Sequence, residues 1–584
     1  MPIALLIGSG LTSVAFALLS LLGIVTVGAI LVSVSGMAVL LVRRRRVGHL
    51  CAGALRPYCD ALPGKSIYLA GVPAGALLWL NAIAPPRDGD SMRYHLAHIR
   101  QIVQDGGWKP ILDYHYALPF GWTFNYLPFE LLHLPQAAQL VNAMLLVVML
   151  ASMLAILRDR NVSSLWTAVA IALVLHPFVV RTFTSANADG YAMFVVFTLC
   201  ALLLRADELS PSDAAALGFV SWIGAQSRYQ LVAVAIAVLA AILIFRPANL
   251  QQRVKPYVLG AIAGLALASP FYLANWKTFG NPVWPLAIRI TPTSSYADIV
   301  GAAYTHSLSG DLTGWTIWWG LERLFTTPEL APLPFIIIGL LVASVKSHRA
   351  EINRLALFGV AFLALWVVAQ PGLYPRFITL LLPAAALIGS LRFGVHSDVE
   401  APSDGGRRRY AVAFAVAVLT LASVFTSLDQ IRYAADGDLG RYHKFTWFYP
   451  VYAWANKTLP PDARVLVIVN SGHSYYLDRR YRRADPWLSG EVDWRRTATA
   501  AALDSVLDKE RYDYVIYDNR DWSQFPSGAS MMTAIRQSVA GGALIPIHSF
   551  HVPLYSSRVR RRFEMASVLV MAHASHSSLE TPHR

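Results

Sequence analysis

Four consecutive arginines, Arg43 to Arg46, lie between two apolar segments near the start of the chain. Lys and Arg collect in the short cytoplasmic loops of membrane proteins, so this run indicates which side of a bilayer the loop faces. The next apolar segment ends at Pro85-Pro86, and two carboxylates, Asp88 and Asp90, follow it. With the arginines in the cytoplasm, these carboxylates emerge at the opposite face of the membrane, at the start of a long loop.

The composition also indicates a chain that lies mostly in lipid. Of its 584 residues, 55% are hydrophobic and only 14% are charged, whereas a soluble domain carries about 25% charged residues. The net charge of +14 lies mainly in short loops between apolar segments. That distribution orients a membrane protein and differs from the basic face of a nucleic-acid-binding protein. We therefore expect no nucleic-acid partner.

Crossing a bilayer as a helix takes about 20 apolar residues. Thirteen segments are candidates for such spans: 4–22, 25–42, 66–84, 136–157, 164–181, 190–204, 213–227, 229–245, 257–273, 332–345, 355–370, 376–391 and 410–427. The pair at 213–245 is the weakest part of this prediction. When the four arginines are placed inside, every other loop on that side also carries Lys or Arg. The sequence therefore predicts a polytopic α-helical membrane protein with about 11–13 transmembrane helices.

Residues 428–584 have a different pattern from the rest of the chain. Short β-branched and aromatic runs at 465–469 and 512–517 predict buried strands. Apolar periodicity at 497–509 and 529–539 predicts helices. Strands that alternate with helices are typical of an α/β domain with a mainly parallel sheet. No glycine-rich phosphate-binding motif follows the strands, so nothing here predicts a nucleotide.

The sequence thus predicts three parts. Residues 1–65 hold N-terminal membrane spans and a basic cytoplasmic loop. Residues 66–427 form a transmembrane domain with long external loops at 85–135 and 274–331. Residues 428–584 form an external α/β domain.

The first external loop holds the densest group of polar side chains. From Ser91 to Gln104 the apolar pattern predicts a helix lying along the membrane interface. Asp88 and Asp90 then lie at or before its N-terminus, where the helix dipole favours a negative charge. One interpretation makes Asp90 only a helix N-cap. Capping does not explain two acids beside a bilayer together with His95, so catalysis is the other interpretation.

The motifs of this loop resemble those of a known family. The chain contains Asp90-x-x-x-Tyr94-His95, then Gly107-Trp108, then Tyr126-Leu127-Pro128-Phe129-Glu130, and further stretches at 185–189, 275–285 and 374–377. Their order is similar to that in the GT-C superfamily of integral membrane glycosyltransferases. The similarity is greatest to the bacterial branch related to protein O-mannosyltransferases and the aminoarabinose transferase of lipid A. It covers roughly residues 66–395.

This resemblance implies a reaction. Such enzymes transfer a sugar from a polyprenyl-phosphate donor to an acceptor at the external face of the membrane, and the acceptor is a glycan, a lipid or a protein. A carboxylate acts as general base on the acceptor hydroxyl, whose pKa is far above neutrality. Asp90 matches the first-loop acid of the family best, and Asp88 is the alternative. The implied location is a bacterial inner membrane, with membrane lipid around the spans and the active site and C-terminal domain on the periplasmic side.

Cationic groups are expected to bind the donor phosphate, because the departing polyprenyl phosphate gains negative charge. Arg376 and Arg228 lie at predicted external ends of spans, against the positive-inside rule, and Lys277 lies in the second long external loop. A cation at membrane depth is a functional candidate by default. The alternative is that one or more of these side chains extend to the lipid headgroups.

Three further residues, Asp189, His95 and Glu130, are candidates for positioning the acceptor or a cation. Asp189 lies between two spans, and the alternative is a solvated residue or a helix cap. His95 with Asp90 or Glu130 offers oxygen and imidazole ligands for a divalent metal such as Mg or Mn. Beyond His95 and His98, no paired spacing supports a metal. Ordinary hydrogen bonding of His95 near the interface is therefore the alternative.

Other functional classes stay open as alternatives. A transporter or flippase for lipid-linked sugars needs charged groups along a path through the bilayer, and often internal repeats. The sequence shows neither. A glycan polymerase or O-antigen ligase also uses a lipid-linked donor, but is expected to depend on external arginines and a histidine rather than on a first-loop aspartate. A scaffold that kept the fold without activity is the third alternative.

Overall fold

The computed structural model describes residues 2–26, 28, 31, 35, 75–76, 78–86, 88–245, 250–283, 332–345, 347, 349–369, 375–394, 449–469, 473–486, 489–523, 525, 527–555 and 563–575. The chain forms two compact units. The helical unit comprises Met1–Asp88, Pro119–Phe271 and Trp315–Gly437. The α/β unit comprises Gly89–Leu118, Tyr272–Gly314 and Asp438–Arg584. The first external loop is therefore divided between the units, and its first half belongs with the C-terminal residues.

The helical unit follows the predicted spans. Its principal helices are Pro2–Leu21, Pro135–Asp159, Ser164–Val174, Pro177–Phe183, Asp189–Leu204, Pro211–Ile223, Gln230–Phe245, Leu250–Phe279, Pro332–Ser344, Ala350–Ala369 and Leu382–Gly394. The last residues of Leu250–Phe279, from Tyr272 onward, are grouped with the α/β unit. Leu382–Gly394 is preceded by the short turns Pro375–Ile378 and Thr379–Leu381. The predicted span 410–427 and most of 25–42 and 66–84 lie outside the described residues.

Length and composition identify fewer certain spans than the sequence predicts. Within the described residues, Pro135–Asp159 and Arg253–Phe279 are each long and apolar enough to cross a membrane. A bent pair of helices would make a third span. Five shorter apolar helices are Leu5–Leu21, Asp189–Leu204, Gln230–Phe245, Leu333–Ser344 and Thr379–Gly394. The count of about 11–13 therefore stays a prediction.

The bent pair interrupts the span predicted at 164–181. Leu165–Val174 and Pro177–Phe183 meet at 54°. Pro177 has no N–H to continue the helical hydrogen bonds, and a residue before proline disfavours the helical conformation. His176 accordingly adopts ψ 138°, and its Nδ1 accepts a hydrogen bond from the backbone N–H of Phe178.

Small residues let two helices of this unit approach closely. A Cβ added to Gly218 in Pro211–Ile223 would lie 2.0 Å from the carbonyl oxygen of Tyr257. A Cβ added to Gly260 would lie 2.0 Å from the carbonyl oxygen of Ala215. Close contact between backbones through small residues is a common way of packing helices in lipid, where burial of apolar surface drives association less than it does in water.

The α/β unit contains a five-stranded sheet. Its strands are β1 (Arg464–Ile468), β2 (Arg480–Arg483), β3 (Tyr514–Asp518), β4 (Leu544–Tyr555) and β5 (Phe563–His573), in the order β2-β1-β3-β5-β4. β1 pairs in parallel with β2 and β3, while the β3–β5 and β4–β5 pairs are antiparallel. The two predicted strands and the two predicted helices are present. The expectation of a mainly parallel sheet is wrong, because β4 and β5 form an antiparallel hairpin.

Both faces of this sheet are covered. Val465 and Val467 of β1 pack on one side, with helix Tyr449–Thr458, and Leu466 and Ile468 pack on the other. The second side is covered by helices Ala500–Glu510 and Gly528–Ala540. Burial on both faces explains why the sequence of β1 is a continuous apolar run and does not alternate between apolar and polar residues.

The first half of the external loop folds against this sheet within the α/β unit. A π turn, Ser91–His95, leads into the α-helix Leu96–Gln104, which buries Leu96, Ile99 and Ile102. Arg100 donates to the backbone oxygen of Tyr475 and to Asp478. The predicted helix is therefore confirmed, and C-terminal residues of the same unit pack against it.

Candidate functional site

Two of the sequence-predicted site residues meet in the helical unit. Asp189 is the first residue of helix Asp189–Leu204, and Arg228 lies in the turn just before helix Gln230–Phe245. The Arg228 Nη2 atom is 2.8 Å from Asp189 Oδ1, and the two side chains are only 8% and 14% exposed. Asp189 is therefore neither a solvated loop residue nor the cap of its helix. It is the counter-charge of a buried arginine.

Asn187 joins this ion pair to Asp88. Its Nδ2 donates to Asp88 Oδ2 across 3.4 Å and to Ser185 Oγ across 2.8 Å. Its Oδ1 accepts a hydrogen bond from the backbone N–H of Asp189 at 3.0 Å, which satisfies the first backbone donor of the helix. The helical unit thus brings together Asp88, Asn187, Asp189 and Arg228, which we call the acid–arginine cluster.

A network of buried polar side chains holds the cluster in place. Asn142 donates to the backbone oxygens of Ser185 (2.6 Å) and Asn187 (2.8 Å), which fixes the segment that carries Asn187. Trp122 donates through Nε1 to Asn142 Oδ1 at 2.9 Å, and its backbone N–H donates to Ser227 Oγ at 2.7 Å. Ser227 is the neighbour of Arg228, so one tryptophan connects both sides of the cluster.

The sequence pattern did not predict this network, although two residues of the chain indicate it. Asn142 and Gln139 are buried within the apolar helix Pro135–Asp159. Gln139 donates to the backbone oxygens of Ala82 and Ala84, on the segment that leads to Asp88. Buried polar residues in an otherwise apolar helix are costly unless they are hydrogen-bonded, and inside a membrane they commonly mark a functional region.

Asp90 belongs to the α/β unit and has a different environment. Its backbone is helical (φ −68°, ψ −40°), and its side chain makes no capping hydrogen bond. The interpretation of Asp90 as an N-cap is therefore wrong. Burial and the nearby Arg483 lower the pKa of Arg93 to about 10, and the carboxylate of Asp90 is among the charges that oppose this shift. Asp90 thus contributes to the charge balance around Arg93.

The remaining predicted residues are more dispersed. His95 is buried in the π turn of the α/β unit, and Glu130 is buried in helix Leu127–Leu131 of the helical unit. Lys277 is exposed in the last turn of Leu250–Phe279. Arg376 lies in the turn Pro375–Ile378, and its side chain is outside the described residues. Within the described part of the chain, no three His, Cys, Asp or Glu side chains form a group that could hold a metal.

The α/β unit has a charged cluster of its own, which the sequence did not predict. Arg483 lies 2.6 Å from Asp485 and 3.3 Å from Asp113, and all three side chains are at most 1% exposed. Burial pushes the pKa of Asp113 upward, but Arg483 and His115 outweigh it and lower that pKa to about 2. We call Arg483, Asp113 and Asp485 the buried triad.

His115 lies beside the buried triad and is neutral at pH 7. Its burial, followed by the charge of Arg93, lowers its pKa to about 4, against the opposing effect of Asp113. The 3.3 Å contact between His115 Nδ1 and Asp113 Oδ1 is therefore a hydrogen bond rather than an ion pair. Because an ionised carboxylate only accepts, Nδ1 is the protonated nitrogen.

Residues 1–296, half of the chain, match a family model described as a domain of unknown function, DUF8201. The chain belongs to the DUF8201 family. No curated protein matches the sequence of this DUF8201 member.

Solved structures reveal which fold this DUF8201 chain adopts. ArnT from Cupriavidus metallidurans in the apo state aligns with a TM-score of 0.52 at 12% identity, over 86% of this chain and 97% of ArnT. The structure of the same enzyme bound to undecaprenyl phosphate aligns with a TM-score of 0.51 at 13% identity, over the same shares of the two chains. The DUF8201 chain therefore has the fold of the GT-C membrane glycosyltransferases, as its motifs indicated.

A further similarity is weaker. The arabinofuranosyltransferase AftD from Mycobacteria aligns with a TM-score of 0.43 at 17% identity, over 87% of this chain and 40% of AftD. The fold of the DUF8201 chain is the one shared with the two ArnT structures.

The acid–arginine cluster of this DUF8201 chain has the groups that an acid–base reaction on a phosphorylated substrate requires. A carboxylate can accept a proton from a hydroxyl group. A guanidinium carries five N–H donors in a planar fork, so it can contact a carboxylate on one side and a phosphate on another. The low exposure of Arg228 and Asp189 keeps water from screening these interactions.

Proposed function

We propose that this protein transfers a sugar from a polyprenyl-phosphate donor to an acceptor hydroxyl at the membrane surface. The observation that carries the proposal is the acid–arginine cluster of Asp88, Asn187, Asp189 and Arg228 within a GT-C fold. ArnT, which has the same fold, was solved bound to undecaprenyl phosphate. The acceptor is a glycan, a lipid or a protein.

In this proposal Arg228 stabilises the departing phosphate. As the bond to the sugar breaks, negative charge grows on the polyprenyl phosphate, and a fixed cation in a site of low polarity stabilises that charge strongly. Asp189, 2.8 Å from Arg228, holds the guanidinium in place before the substrate arrives. Arg376 and Lys277 stay candidates for binding the donor phosphate.

One of the two first-loop acids is the general base, and the contacts favour Asp88. Asp88 accepts a hydrogen bond from Asn187, which is itself bonded to Asp189. Asp88 is therefore in the same network as the proposed phosphate-binding arginine. Asp90, which matches the family motif better, has Arg93 as a neighbouring charge. His95 and Glu130 stay candidates for positioning the acceptor.

A turnover assay tests the proposal. The full chain in lipid nanodiscs is mixed with a panel of short polyprenyl-phosphate sugars and a cell-envelope extract as the source of acceptor. Released polyprenyl phosphate is measured by mass spectrometry for wild type, Asp88→Asn and Asp90→Asn. Loss of a general base lowers the rate about 10²–10⁴-fold, and we expect that loss for Asp88→Asn.

Asp159→Asn is the matched control. Asp159 ends helix Pro135–Asp159, is 66% exposed and pairs only with its neighbour Arg158 in the described part of the chain, so its turnover should equal that of wild type. A loss confined to Asp90→Asn would assign the base to Asp90 instead. Absence of release from every donor by the folded wild type would refute transferase activity.

A further inference from the structure

The α/β unit contains a small cavity that the transfer reaction does not use. It has a volume of about 220 Å³ and is lined by Asp105, Lys109, Arg464, Arg480, Tyr481, Arg482 and Tyr512. Asp105 and Lys109 come from the end of the first-loop helix and the residues after it. The others come from β1, from β2 and from the residues just before β3. We call this the basic cavity.

The charges around the basic cavity are predominantly positive. The lining contains four cationic side chains, Lys109, Arg464, Arg480 and Arg482, and one carboxylate, Asp105. Glu491, outside the lining, also interacts electrostatically with Arg482 and Arg464. Asp105 is 2.6 Å from Arg482, so it compensates one of the four cations. Among the described residues, no carboxylate forms an ion pair with Lys109 or Arg480, and both side chains are exposed. An anionic ligand would therefore balance charge that the protein leaves unbalanced.

The position of these cations follows from strand geometry. β2 is the edge strand of the sheet, and its side chains alternate between the two faces. Arg480 and Arg482 thus share the more exposed face, while Tyr481 and Arg483 are buried on the other. One strand therefore supplies two guanidinium groups to the cavity and a third, Arg483, to the buried triad.

The wall of the basic cavity is aromatic. The Arg464 guanidinium lies 5.4 Å from the centre of the Tyr512 ring, a cation–π contact. The Tyr512 hydroxyl donates to Glu491 at 2.6 Å. Burial raises the pKa of Glu491 above its usual range. Glu491 itself is outside the residues that line the cavity.

We propose that the basic cavity binds a phosphate group. Guanidinium forks and an ammonium group converging from separate segments match the oxygens of a phosphate. The volume of about 220 Å³ is below the roughly 300–1,000 Å³ of sites for drug-sized ligands. The cavity thus has room for a phosphate with at most one sugar ring or a glycerol, and not for a lipid chain. This proposal does not depend on the transfer reaction.

Two titrants distinguish the two sources of such a phosphate. Glucose 1-phosphate represents a soluble sugar phosphate, and dihexanoyl phosphatidylglycerol represents a lipid headgroup. Glucose and dihexanoylglycerol are their counterparts without phosphate. Each is titrated into the full chain, held in nanodiscs of neutral lipid, and binding is measured by isothermal titration calorimetry.

The variant Lys109→Gln/Arg480→Gln removes two exposed cations from the cavity. The control Arg496→Gln/Lys509→Gln removes two exposed cations from the same unit, outside the cavity, and changes the net charge equally. We expect saturable binding of at least one phosphate titrant, weakened at least tenfold in the cavity variant, since each hydrogen bond to a charged group contributes about a factor of ten. The control should bind as wild type does.

The phosphate titrant whose binding is weakened in the cavity variant and unchanged in the control identifies the source of the phosphate. The proposal is overturned if wild type binds neither phosphate titrant saturably. It is also overturned if the control loses as much affinity as the cavity variant, because the effect would then be general electrostatics. Equal binding of the counterparts without phosphate would likewise overturn it.

Discussion

The two arginine-centred clusters of this protein differ in how completely they are shielded. In the α/β unit, Arg483 has two carboxylates within 3.3 Å, and all three side chains are at most 1% exposed. In the helical unit, Arg228 has Asp189 at 2.8 Å, and their side chains keep 8% and 14% exposure. One cluster is closed to solvent, whereas the other retains a small opening.

This difference separates a structural role from a chemical one. A buried ion pair contributes little net stability when it is intact, but removal of one partner leaves an uncompensated buried charge. The buried triad therefore fastens the first-loop segment with Asp113 to the C-terminal strand with Arg483. The acid–arginine cluster combines similar groups with access for a substrate, which the buried triad lacks.

Removal of the central arginine of the buried triad should have the largest effect. Arg483→Leu leaves Asp113 and Asp485 buried without their nearest cation, and we expect a loss of about 3–5 kcal/mol in the free energy of unfolding of the α/β unit. Pulse proteolysis of the full chain across a denaturant series measures it. Arg495→Leu, which breaks the half-exposed pair with Asp493, should change stability by less than about 0.5 kcal/mol. Equal effects of the two substitutions would contradict a structural role for the buried triad.

Replacement of Arg228 should mainly affect turnover. Arg228→Gln removes the proposed phosphate contact, and the release of polyprenyl phosphate should fall about 10²–10³-fold. Arg228→Gln also leaves the Asp189 carboxylate without its counter-charge, which should lower stability. The double variant Arg228→Gln/Asp189→Asn removes both charges of the pair, so it should fold as wild type does while its turnover stays low.

The matched pair in the same unit is Arg354 and Asp207, 2.7 Å apart, with Arg354 buried. Arg354→Gln/Asp207→Asn should leave turnover near that of wild type. If both double variants lose turnover equally, the loss reflects folding and not phosphate binding.

Acid should weaken the α/β unit through its buried histidines before Asp113 becomes protonated. The pKa of His115 is about 4 in the folded protein and about 6.5 in an unfolded chain. Between these values the unfolded state binds more protons, so stability falls as the pH is lowered from 6.5 towards 4, by about 1.4 kcal/mol for each pKa unit. His98, whose pKa burial and Arg482 lower to about 3, acts in the same direction. Asp113, with a pKa of about 2, adds a further loss only between about pH 4 and pH 2.

The measurement is the unfolding midpoint of the α/β unit between pH 7 and pH 4.5. His115→Asn should reduce its dependence on pH, because asparagine does not titrate. Wild type measured over the same pH range is the reference for this comparison. An unaltered pH profile in His115→Asn would show that this histidine is solvated rather than held neutral by burial.

Much of the fold was predictable from the sequence, for identifiable reasons. The helices of the helical unit follow long apolar runs, and β1 and β3 follow short β-branched and aromatic ones. The hairpin of β4 and β5 was missed because Pro546, His548 and Pro553 break the apolar alternation of β4. A proline in an edge strand loses little, since one side of that strand has no ladder partner, so the strand forms despite its sequence.

The candidate sites were less predictable than the fold. Arg228 and Asp189 were each singled out, but nothing in a sequence indicates that residues 39 positions apart meet at 2.8 Å. The contact of Arg483 with Asp113 joins segments still further apart, so no local pattern contains it. Asn187 was noted only as part of a motif, and its role in joining Asp88 to Asp189 depends on tertiary structure.

The π turn at Ser91–His95 has a consequence for how relatives of this chain are compared. Gly89 and Asp90 before it and Leu96 after it are helical, so the turn is a single wide turn within one helix. Such a turn contains one residue more than an α-helical turn. A relative that lacks one residue here can therefore form a regular α-helical turn, and the following helix then keeps the same residues on the same face. A one-residue gap in an alignment at this point indicates a change in helical geometry, and it does not by itself indicate loss of the first-loop acids.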